Sequence, residues 1–300
     1  MFRGVVAVAS IGLALLPLAG CGYAGARHGR PSVVASFYPL RFVAQRVVGD
    51  HARVVSLTQP GVEPHELSLT VRQTAELSAA DVALYEKGLQ PAVDQAIENN
   101  HPRRVVNAAS VVTLHAPAAG YREETADNRD PHFWLNPLLL AHVARAFTRS
   151  MVSADPAHAA AYRANDARLQ RQLTTLDRDI RAGTRHCRIR ALVVSHDAFE
   201  YFGRRYHFDI VPLAGLTPDA EPSVRHLAQI TTLAREKHVT TVFAERLDSP
   251  KMADSLAHDL GIGSAVLDPA EGLVPSDEGQ NYLTLMRQNL RAIERANSCT

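Results

Sequence analysis

The stretch SVVASFYPLRFVAQRVV (residues 32–48) joins a short apolar run to an amphipathic segment, and it decides the fold class. The run 32–36 is brief, apolar and rich in valine, which predicts a buried strand. From residue 40 to 48 the apolar side chains recur at helical spacing, which predicts a helix packed against that strand. A buried strand followed directly by an amphipathic helix is the repeating unit of parallel α/β folds.

The same unit recurs in two blocks of the chain, which a long helical segment separates. Further strands are predicted at 53–57, 82–85 and 104–106 in the first block, and at 191–194, 209–212, 240–244 and 264–267 in the second. Between the blocks, apolar residues follow a helical period without a strand pattern. We therefore predict an N-terminal α/β lobe over 32–154, a connecting helix over 155–184 and a C-terminal α/β lobe over 185–300.

The composition indicates a folded protein, and the charge argues against nucleic-acid binding. A chain of 300 residues with 46% hydrophobic and 21% charged residues is long and apolar enough to bury two cores. The formal net charge of +1 leaves no basic footprint for nucleic acid, so we expect no nucleic-acid partner.

The first 20 residues have the layout of a secretory signal, with the early cation Arg3, an apolar run and then small residues. The run is too short, and its flanks are wrong, for a membrane span. The segment Leu18-Ala19-Gly20-Cys21 resembles the lipobox of bacterial lipoproteins, whose cysteine is lipidated. We predict a signal peptide over 1–20, lipidation at Cys21 and a lipidated tether over 21–31. An ordinary signal with an incidental cysteine is the alternative.

Two further cysteines, Cys187 and Cys299, remain in the predicted mature chain. In an extracytoplasmic compartment two such cysteines often pair, because the environment is oxidising. In a disulfide the two Cα atoms usually lie roughly 4.4–6.8 Å apart, a distance that the sequence does not give. A disulfide and two free buried thiols therefore both remain open.

Three histidines lie near predicted strand ends or helix starts: His65 in GVEPHELS, His132 in DNRDPHFWLNP and His196 in LVVSHDAFEYF. Asp268, in VLDPAEG, also follows an apolar strand directly. In parallel α/β folds ligands bind at the carboxyl ends of strands. Three imidazoles and one carboxylate can enclose Zn²⁺ tetrahedrally, and their wide separation along the chain suits a site between the lobes. Spacing alone leaves open that these are unrelated loop residues.

The motifs GVEPHELS, DPHFWLNP and SHDAFEYFGRRYHFD together resemble the metal-binding solute receptors of bacterial ABC importers, the zinc/manganese (cluster A-I) family. The resemblance extends from VVASFYPLRFVAQRVVGD to LDPAEGL. It implies two α/β lobes bridged by one rigid helix, with a single metal held in the cleft by His65, His132, His196 and Asp268. The histidine-rich loop common in zinc receptors is absent, and HAPAAGYREETADNRD (residues 115–130) stands in its place.

The third ligand position favours zinc. In the manganese receptors of the family that this chain resembles, the corresponding residue is a glutamate, whereas this chain has His196. A nitrogen ligand favours Zn²⁺ over the harder Mn²⁺. Asp197 and Glu245 are candidates for orienting a ligand imidazole. We expect no catalytic residues and no enzyme activity.

The resemblance implies an extracytoplasmic zinc receptor that delivers Zn²⁺ to an ABC permease and its ATPase. We expect a monomer that is lipid-anchored at the outer face of the cytoplasmic membrane or periplasmic, with a metallochaperone as a further candidate partner. A manganese or iron receptor and an adhesion or sensor lipoprotein are alternatives. A zinc hydrolase is another, which would need an open coordination position and a general base from among Glu63, Glu66, Asp197 and Glu245.

Overall fold

The computed structural model describes residues 1, 2, 4, 29–117, 129–218 and 222–300. Within them the chain forms two lobes, each built on a four-stranded parallel sheet. The N-terminal lobe comprises β1 (Ser32–Ala35), α1 (Tyr38–Val48), β2 (Arg53–Ser56), α2 (Val71–Ala79), β3 (Val82–Tyr85), α3 (Pro91–Asn100), β4 (Val105–Asn107) and α4 (Pro137–Ala154). After the connecting helix α5 (Ala159–Gly183), the C-terminal lobe comprises β5 (Ala191–Val194), α6 (Glu200–Tyr206), β6 (Asp209–Pro212), α7 (Val224–Glu236), β7 (Thr241–Ala244), α8 (Lys251–Leu260), β8 (Gly263–Val266) and α9 (Tyr282–Ala296).

The two sheets share one topology. Their strand orders are β2-β1-β3-β4 and β6-β5-β7-β8, and every neighbouring pair is parallel. The carboxyl ends of the strands in each sheet therefore lie along one edge, where loops can bring side chains together. The predicted fold class, two parallel-sheet α/β lobes joined by a long helix, is confirmed.

The opening stretch folds as its pattern predicts. Val33 and Ala35 of β1 are fully buried, and they share one hydrophobic core with Val43 and Val47 of α1. Helix α1 ends at Gly49, whose φ of 53° lies in the left-handed region that favours glycine at a helix C-terminus. The strand and the helix thus pack through buried apolar side chains, and the helix ends at a glycine.

The connecting helix is shorter at its start than the predicted range. A 3₁₀ turn over Pro156–His158 precedes α5, and the side chain of Asp155 accepts hydrogen bonds from the Tyr162 hydroxyl (2.6 Å) and pairs with a His158 ring nitrogen (2.7 Å). Helix α5 packs against α1 and α4 of the first lobe and against α9 of the second. Helix α5 therefore joins the two lobes through packing as well as through the chain.

Cys187 and Cys299 are bonded as a disulfide, with their Cα atoms 3.7 Å apart, below the usual range of roughly 4.4–6.8 Å. The bond ties the entry of the C-terminal lobe to the end of the chain. Asn297 supports the same junction, because its side-chain amide donates to the carbonyl oxygens of Ile189 (3.0 Å) and Ala191 (3.1 Å).

Residues 3 and 5–28, which include most of the predicted signal peptide, Cys21 and most of the tether, lie outside the described residues, as do residues 118–128 and 219–221. In the described part of the chain, none of the helices combines the length and the apolar character needed to cross a membrane.

A charged cluster fastens α5 to α6. The Nε and Nη2 atoms of Arg205 each donate to the Asp177 carboxylate at 2.8 Å, and the Tyr206 hydroxyl donates to it at 3.0 Å. Burial acts to raise the pKa of Asp177, but the hydrogen bonds from Arg205 and Tyr206 outweigh it, so the pKa is lowered.

Replacing Asp177 with asparagine should destabilise the fold by about 1–3 kcal/mol at pH 7, because the guanidinium loses a charged acceptor. A depressed carboxyl pKa contributes stability above the unfolded value of about 3.9, and that contribution is lost as the pH falls through the folded pKa. Urea unfolding should therefore show a difference between wild type and D177N that shrinks below about pH 4.

Asp179→Asn is the matched control, since Asp179 lies on the same helix but its carboxylate is partly exposed and 3.8 Å from Arg287. It should change the free energy of unfolding by less than about 0.5 kcal/mol. Equal effects of the two substitutions would contradict a specific role for Asp177.

Candidate metal centre

The loop that follows β2 carries His65. The side chain of Glu63 accepts the backbone N–H of His65 at 3.0 Å, and Pro64 between them restricts the turn. The imidazole is nearly buried, with 6% of its side chain exposed. Glu63, by capping the turn, orients the backbone that carries this imidazole.

His132 stands at the head of a 3₁₀ turn, Phe133–Leu135, directly before α4. The Oδ1 atom of Asp130 accepts its backbone N–H at 2.9 Å and lies 2.8 Å from its Nδ1. Trp134 in the turn is fully buried, and its indole N–H donates to the carbonyl oxygen of Pro269 in the other lobe at 2.8 Å. Since Asp130 occupies Nδ1, the Nε2 atom of His132 is left to face the cleft.

His196 follows β5 directly and is fully buried. Its Nδ1 lies 2.5 Å from Oε1 of Glu245, which follows β7, and the Ser195 hydroxyl donates to the same carboxylate oxygen. A carboxylate on Nδ1 fixes the ring and leaves Nε2 available as a metal ligand. Neighbouring strands of one sheet thus supply both the imidazole and the group that orients it.

Glu271, in the loop after β8, completes the cluster. Its Oε1 lies 3.0 Å from Nε2 of His132, 3.4 Å from Nε2 of His196 and 3.5 Å from Nε2 of His65. The Nε2 atoms of His132 and His196 are 3.3 Å apart, and all four ligand atoms lie within 4.8 Å of one another. Zn–N and Zn–O bonds of roughly 2.0–2.1 Å give a tetrahedron with edges of about 3.3–3.4 Å, and the four distances of 3.0–3.5 Å lie close to that value.

Unsatisfied polar atoms point to the same conclusion. Both carboxylate oxygens of Glu271 and Nε2 of His65 are buried without a hydrogen-bond partner of acceptable geometry among the described residues. Buried polar atoms are normally paired, and a cation held by Glu271 and the three imidazoles would satisfy these. The unpaired buried atoms therefore suit a metal ion, in agreement with the chemistry and the spacing of the four ligands.

The four groups differ in how burial and neighbouring charges shift their pKa values. Burial acts to lower the pKa of His196, but Glu245 and Glu271 outweigh it and raise that pKa well above its usual range. Burial lowers the pKa of His65. Burial acts to lower the pKa of His132 as well, but Asp130 and Glu271 outweigh it and raise that pKa to about 9. For Glu271, burial favours the neutral acid, yet the three imidazoles hold its pKa well below the usual range. The metal-free cluster thus holds an ionised carboxylate beside protonatable rings, and a metal must compete with protons there.

The structure does not bring Asp268, the predicted fourth ligand, into this cluster. Its Oδ1 accepts the backbone N–H of Ala270 at 2.7 Å, and its Oδ2 lies 3.6 Å from Nη1 of Arg246. Burial raises the pKa of Asp268 to about 7, against the opposing effects of the Ala270 N–H and Arg246. Glu271, three residues further along the same motif, supplies the carboxylate instead.

The two residues predicted to orient a ligand have different positions. Glu245 contacts His196 as described, whereas Asp197 is buried nearby with its backbone N–H donating to Gly215. Sequence reasoning missed Asp130, although the pattern of an acid, a proline and a histidine occurs in both EPH and DPH. In each case the acid caps the N–H of the histidine, so that repeated pattern was an available signal.

The chain has two similar lobes joined by a helix, with three histidines and a carboxylate buried between them. These features define a two-lobed binding protein with a site suited to a metal ion. The family model described as "ZnuA: Zinc-uptake complex component A periplasmic" matches residues 33–296. The chain belongs to this family.

Named relatives cover most of the chain. The high-affinity zinc uptake system protein ZnuA of Bacillus subtilis (strain 168) is 30% identical over 313 aligned residues, which cover 98% of each protein. The zinc-binding lipoprotein AdcA of Streptococcus pneumoniae (strain ATCC BAA-255 / R6) is 28% identical over 300 residues. That match covers 94% of this chain but 59% of AdcA, so the chain spans little more than half of that relative.

Solved structures share the fold. The laminin-binding protein Lmb of Streptococcus agalactiae, described as bifunctional with adhesin and metal transporting activity, superposes with a TM-score of 0.80 at 26% identity. The match covers 89% of this chain and 99% of that one. The Zn(II)-bound ZnuA-like domain of S. pneumoniae AdcA gives a TM-score of 0.76 at 27% identity, over 90% and 99% of the two chains.

Zinc binding should change the fluorescence of Trp134, the single tryptophan of the chain. Its ring centroid lies 5.2 Å from that of His132, and the indole is fully buried, so a cation on His132 alters its electrostatic environment. The measurement is a titration of metal-free protein with Zn²⁺, followed by addition of a chelator to test reversal. An emission spectrum unchanged at saturating zinc would contradict the placement of the ion beside His132.

Proposed function

We propose that this protein is an extracytoplasmic receptor that captures Zn²⁺ with His65, His132, His196 and Glu271 and delivers it to a membrane ABC permease for import. The observation that carries the proposal is the position of Glu271 Oε1, which lies 3.0–3.5 Å from Nε2 of all three imidazoles. Membership of a zinc-uptake family supports it.

Zinc suits this donor set better than manganese or iron does. Three imidazole nitrogens with one carboxylate oxygen form a borderline-soft set, whereas Mn²⁺ prefers more oxygen ligands. The relatives named above are described as zinc proteins, which agrees with the chemistry.

A receptor also fits better than a hydrolase. A catalytic zinc keeps one position open for water, while four protein ligands close this site. Glu63, one candidate base, caps the turn of His65, and Glu245 holds His196. Both carboxylates thus position ligands, and the family is one of solute uptake, not of hydrolysis.

The family is described as a periplasmic component of a zinc-uptake complex, which supports a location outside the cytoplasm. We extend the proposal to a lipid anchor at Cys21 on the outer face of the cytoplasmic membrane, to a monomer, and to a permease with its ATPase as partners. A metallochaperone that supplies zinc to the receptor is a further candidate partner.

Metal exchange in this protein should involve small movements of the lobes or loops. Three cross-lobe hydrogen bonds support this: Trp134 to Pro269, Tyr282 to the Trp134 carbonyl (2.5 Å), and the Gly61 N–H to the Leu273 carbonyl (2.7 Å). Together with the packing of α5 on both lobes, they oppose a wide hinge opening.

Calorimetric titration of metal-free protein with Zn²⁺ and Mn²⁺ tests the proposed function. We expect one zinc site per chain and weaker manganese binding. Replacing His132, His196 or Glu271 singly with alanine should weaken zinc binding at least tenfold, because each removes one of four ligands.

His258→Ala is the matched control, because the imidazole of His258 is 90% exposed and is not one of the four ligands of the cluster. This variant should bind zinc as the wild type does. If the three cluster variants keep wild-type affinity and stoichiometry, the assignment of the site is wrong.

Zinc affinity should increase with pH. His132 has a pKa of about 9 in the metal-free protein, so at neutral pH its ring is protonated and zinc must displace that proton. Each displaced proton raises the apparent affinity by about tenfold per pH unit while the pH stays below that pKa. Competition titrations between pH 6 and 8, in buffers of different ionisation enthalpy, would measure the slope and the protons released. A flat profile without proton release would contradict the competition.

A further inference from the structure

We propose that Asp268 and Arg246 are positioning residues that hold Glu271 in the metal centre, and that neither binds the metal. This inference rests on the proposed zinc site, and it assigns a role to the carboxylate that lies outside the four-ligand cluster. It concerns the only ligand of the cluster that is not a histidine.

The first observation is a turn that occurs three times around the site. In Glu63-Pro64-His65, Asp130-Pro131-His132 and Asp268-Pro269-Ala270, the acid accepts the backbone N–H of the second residue after it. The three distances are 3.0, 2.9 and 2.7 Å. In the first two turns the capped residue is itself the ligand, and in the third the ligand is the next residue, Glu271. Asp268 thus corresponds to Glu63 and Asp130, which orient ligands, and not to the ligands themselves.

The second observation is the partner of the remaining oxygen. Nη1 of Arg246 lies 3.6 Å from Oδ2 of Asp268, and Nη2 of Arg246 pairs with Oδ1 of Asp277. A planar guanidinium can bridge two carboxylates in fixed directions, which a lysine cannot do. Arg246 therefore fastens both arms of the loop 267–281 to the end of β7, where the adjacent Glu245 holds His196.

Other contacts fix the backbone of the same loop. The side chain of Asn289 on α9 donates to the Asp268 carbonyl (2.6 Å) and accepts the Asp268 N–H (2.8 Å), while Trp134 binds the carbonyl of Pro269. Ala270 has a φ of 56°, an uncommon conformation for alanine. The Asp268 carboxylate accepts the N–H of this same residue, so it stabilises a backbone shape that the chain would not adopt readily by itself.

Glu271 needs such support because its carboxylate faces only the three imidazoles, at 3.0–3.5 Å, and has no other hydrogen-bond partner among the described residues. The imidazoles of His132 and His196 each have a carboxylate on Nδ1 to fix them. The position of Glu271 therefore depends on the backbone that carries it, and a ligand displaced by much more than about 0.5 Å loses productive geometry. The Asp268 turn and Arg246 supply that constraint from outside the cluster.

The test compares Asp268→Ala, Asp268→Asn, Glu271→Ala and the double variant D268A/E271A as full-length mature protein. D268A should weaken zinc binding by about tenfold to a hundredfold, the usual cost of removing a group that orients a metal ligand. D268N should have a smaller effect, since its side-chain oxygen can still accept the Ala270 N–H. Exposed Asp259 (D259A) provides the control, with unchanged affinity expected.

The double variant separates positioning from an independent effect. If Asp268 acts through Glu271, then adding D268A to E271A should change zinc affinity by less than about twofold, because sites that act as a unit are not additive. The absorption spectrum of the Co²⁺-loaded D268A protein should also shift towards that of E271A. A loss of fold would appear in the thermal unfolding of the metal-free variants, whereas the Co²⁺ spectrum reports the ligands.

Three results would overturn the inference. D268A could bind zinc as tightly as the wild type with an unaltered Co²⁺ spectrum. It could weaken binding equally in the presence and absence of Glu271. Alternatively, E271A could leave the Co²⁺ spectrum unchanged while D268A alters it, which would make Asp268 the ligand. A wild-type protein that binds no zinc would instead refute the proposed function itself.

Discussion

The approach of one carboxylate oxygen to three imidazole nitrogens is the constraint on which this structure depends. Glu271 Oε1 and the three Nε2 atoms come from four separate loops, and they are held at 3.0–3.5 Å in a buried space. Burial makes an unpaired carboxylate costly, so the arrangement is favourable only with cations or protons among these groups. The surrounding fold supplies the rigidity that keeps the four loops in place.

That rigidity begins with the parallel sheets. Because all strands of a sheet run in one direction, the loops after β2, β5 and β8, which carry His65, His196 and Glu271, emerge at the carboxyl ends of their strands, while His132 lies just before α4. Helix α5 then fixes the separation of the two lobes by packing against helices of both. The buried faces of the strands and helices supply the stabilising apolar contacts of the core.

The sequence predicts the elements well because their signals are local. Valine-rich runs bounded by polar turns specify the strands, and the histidines at the strand ends follow from the topology of parallel sheets. The fourth ligand was predicted less well, since Asp268 and Glu271 follow the same strand and differ only in the turn between them. Choosing between these two requires the contacts of Asp268 with Ala270 and Arg246, and Arg246 lies in the loop after a different strand, β7. The disulfide was undecidable for a similar reason, because it joins residues 112 positions apart.

Packing and ligand binding meet in the turn that carries His132. Trp134 is fully buried, and it stacks edge-on against Phe37 with 4.8 Å between ring centroids. Its indole N–H binds the Glu271 loop at Pro269, and its carbonyl accepts the hydroxyl of Tyr282 on α9. One packed residue therefore links a ligand of the first lobe to the loop that carries a ligand of the second. These contacts of Trp134 thus cross the cleft between the loops that carry His132 and Glu271. A displacement of either lobe would have to break that packing before it could separate these two ligands.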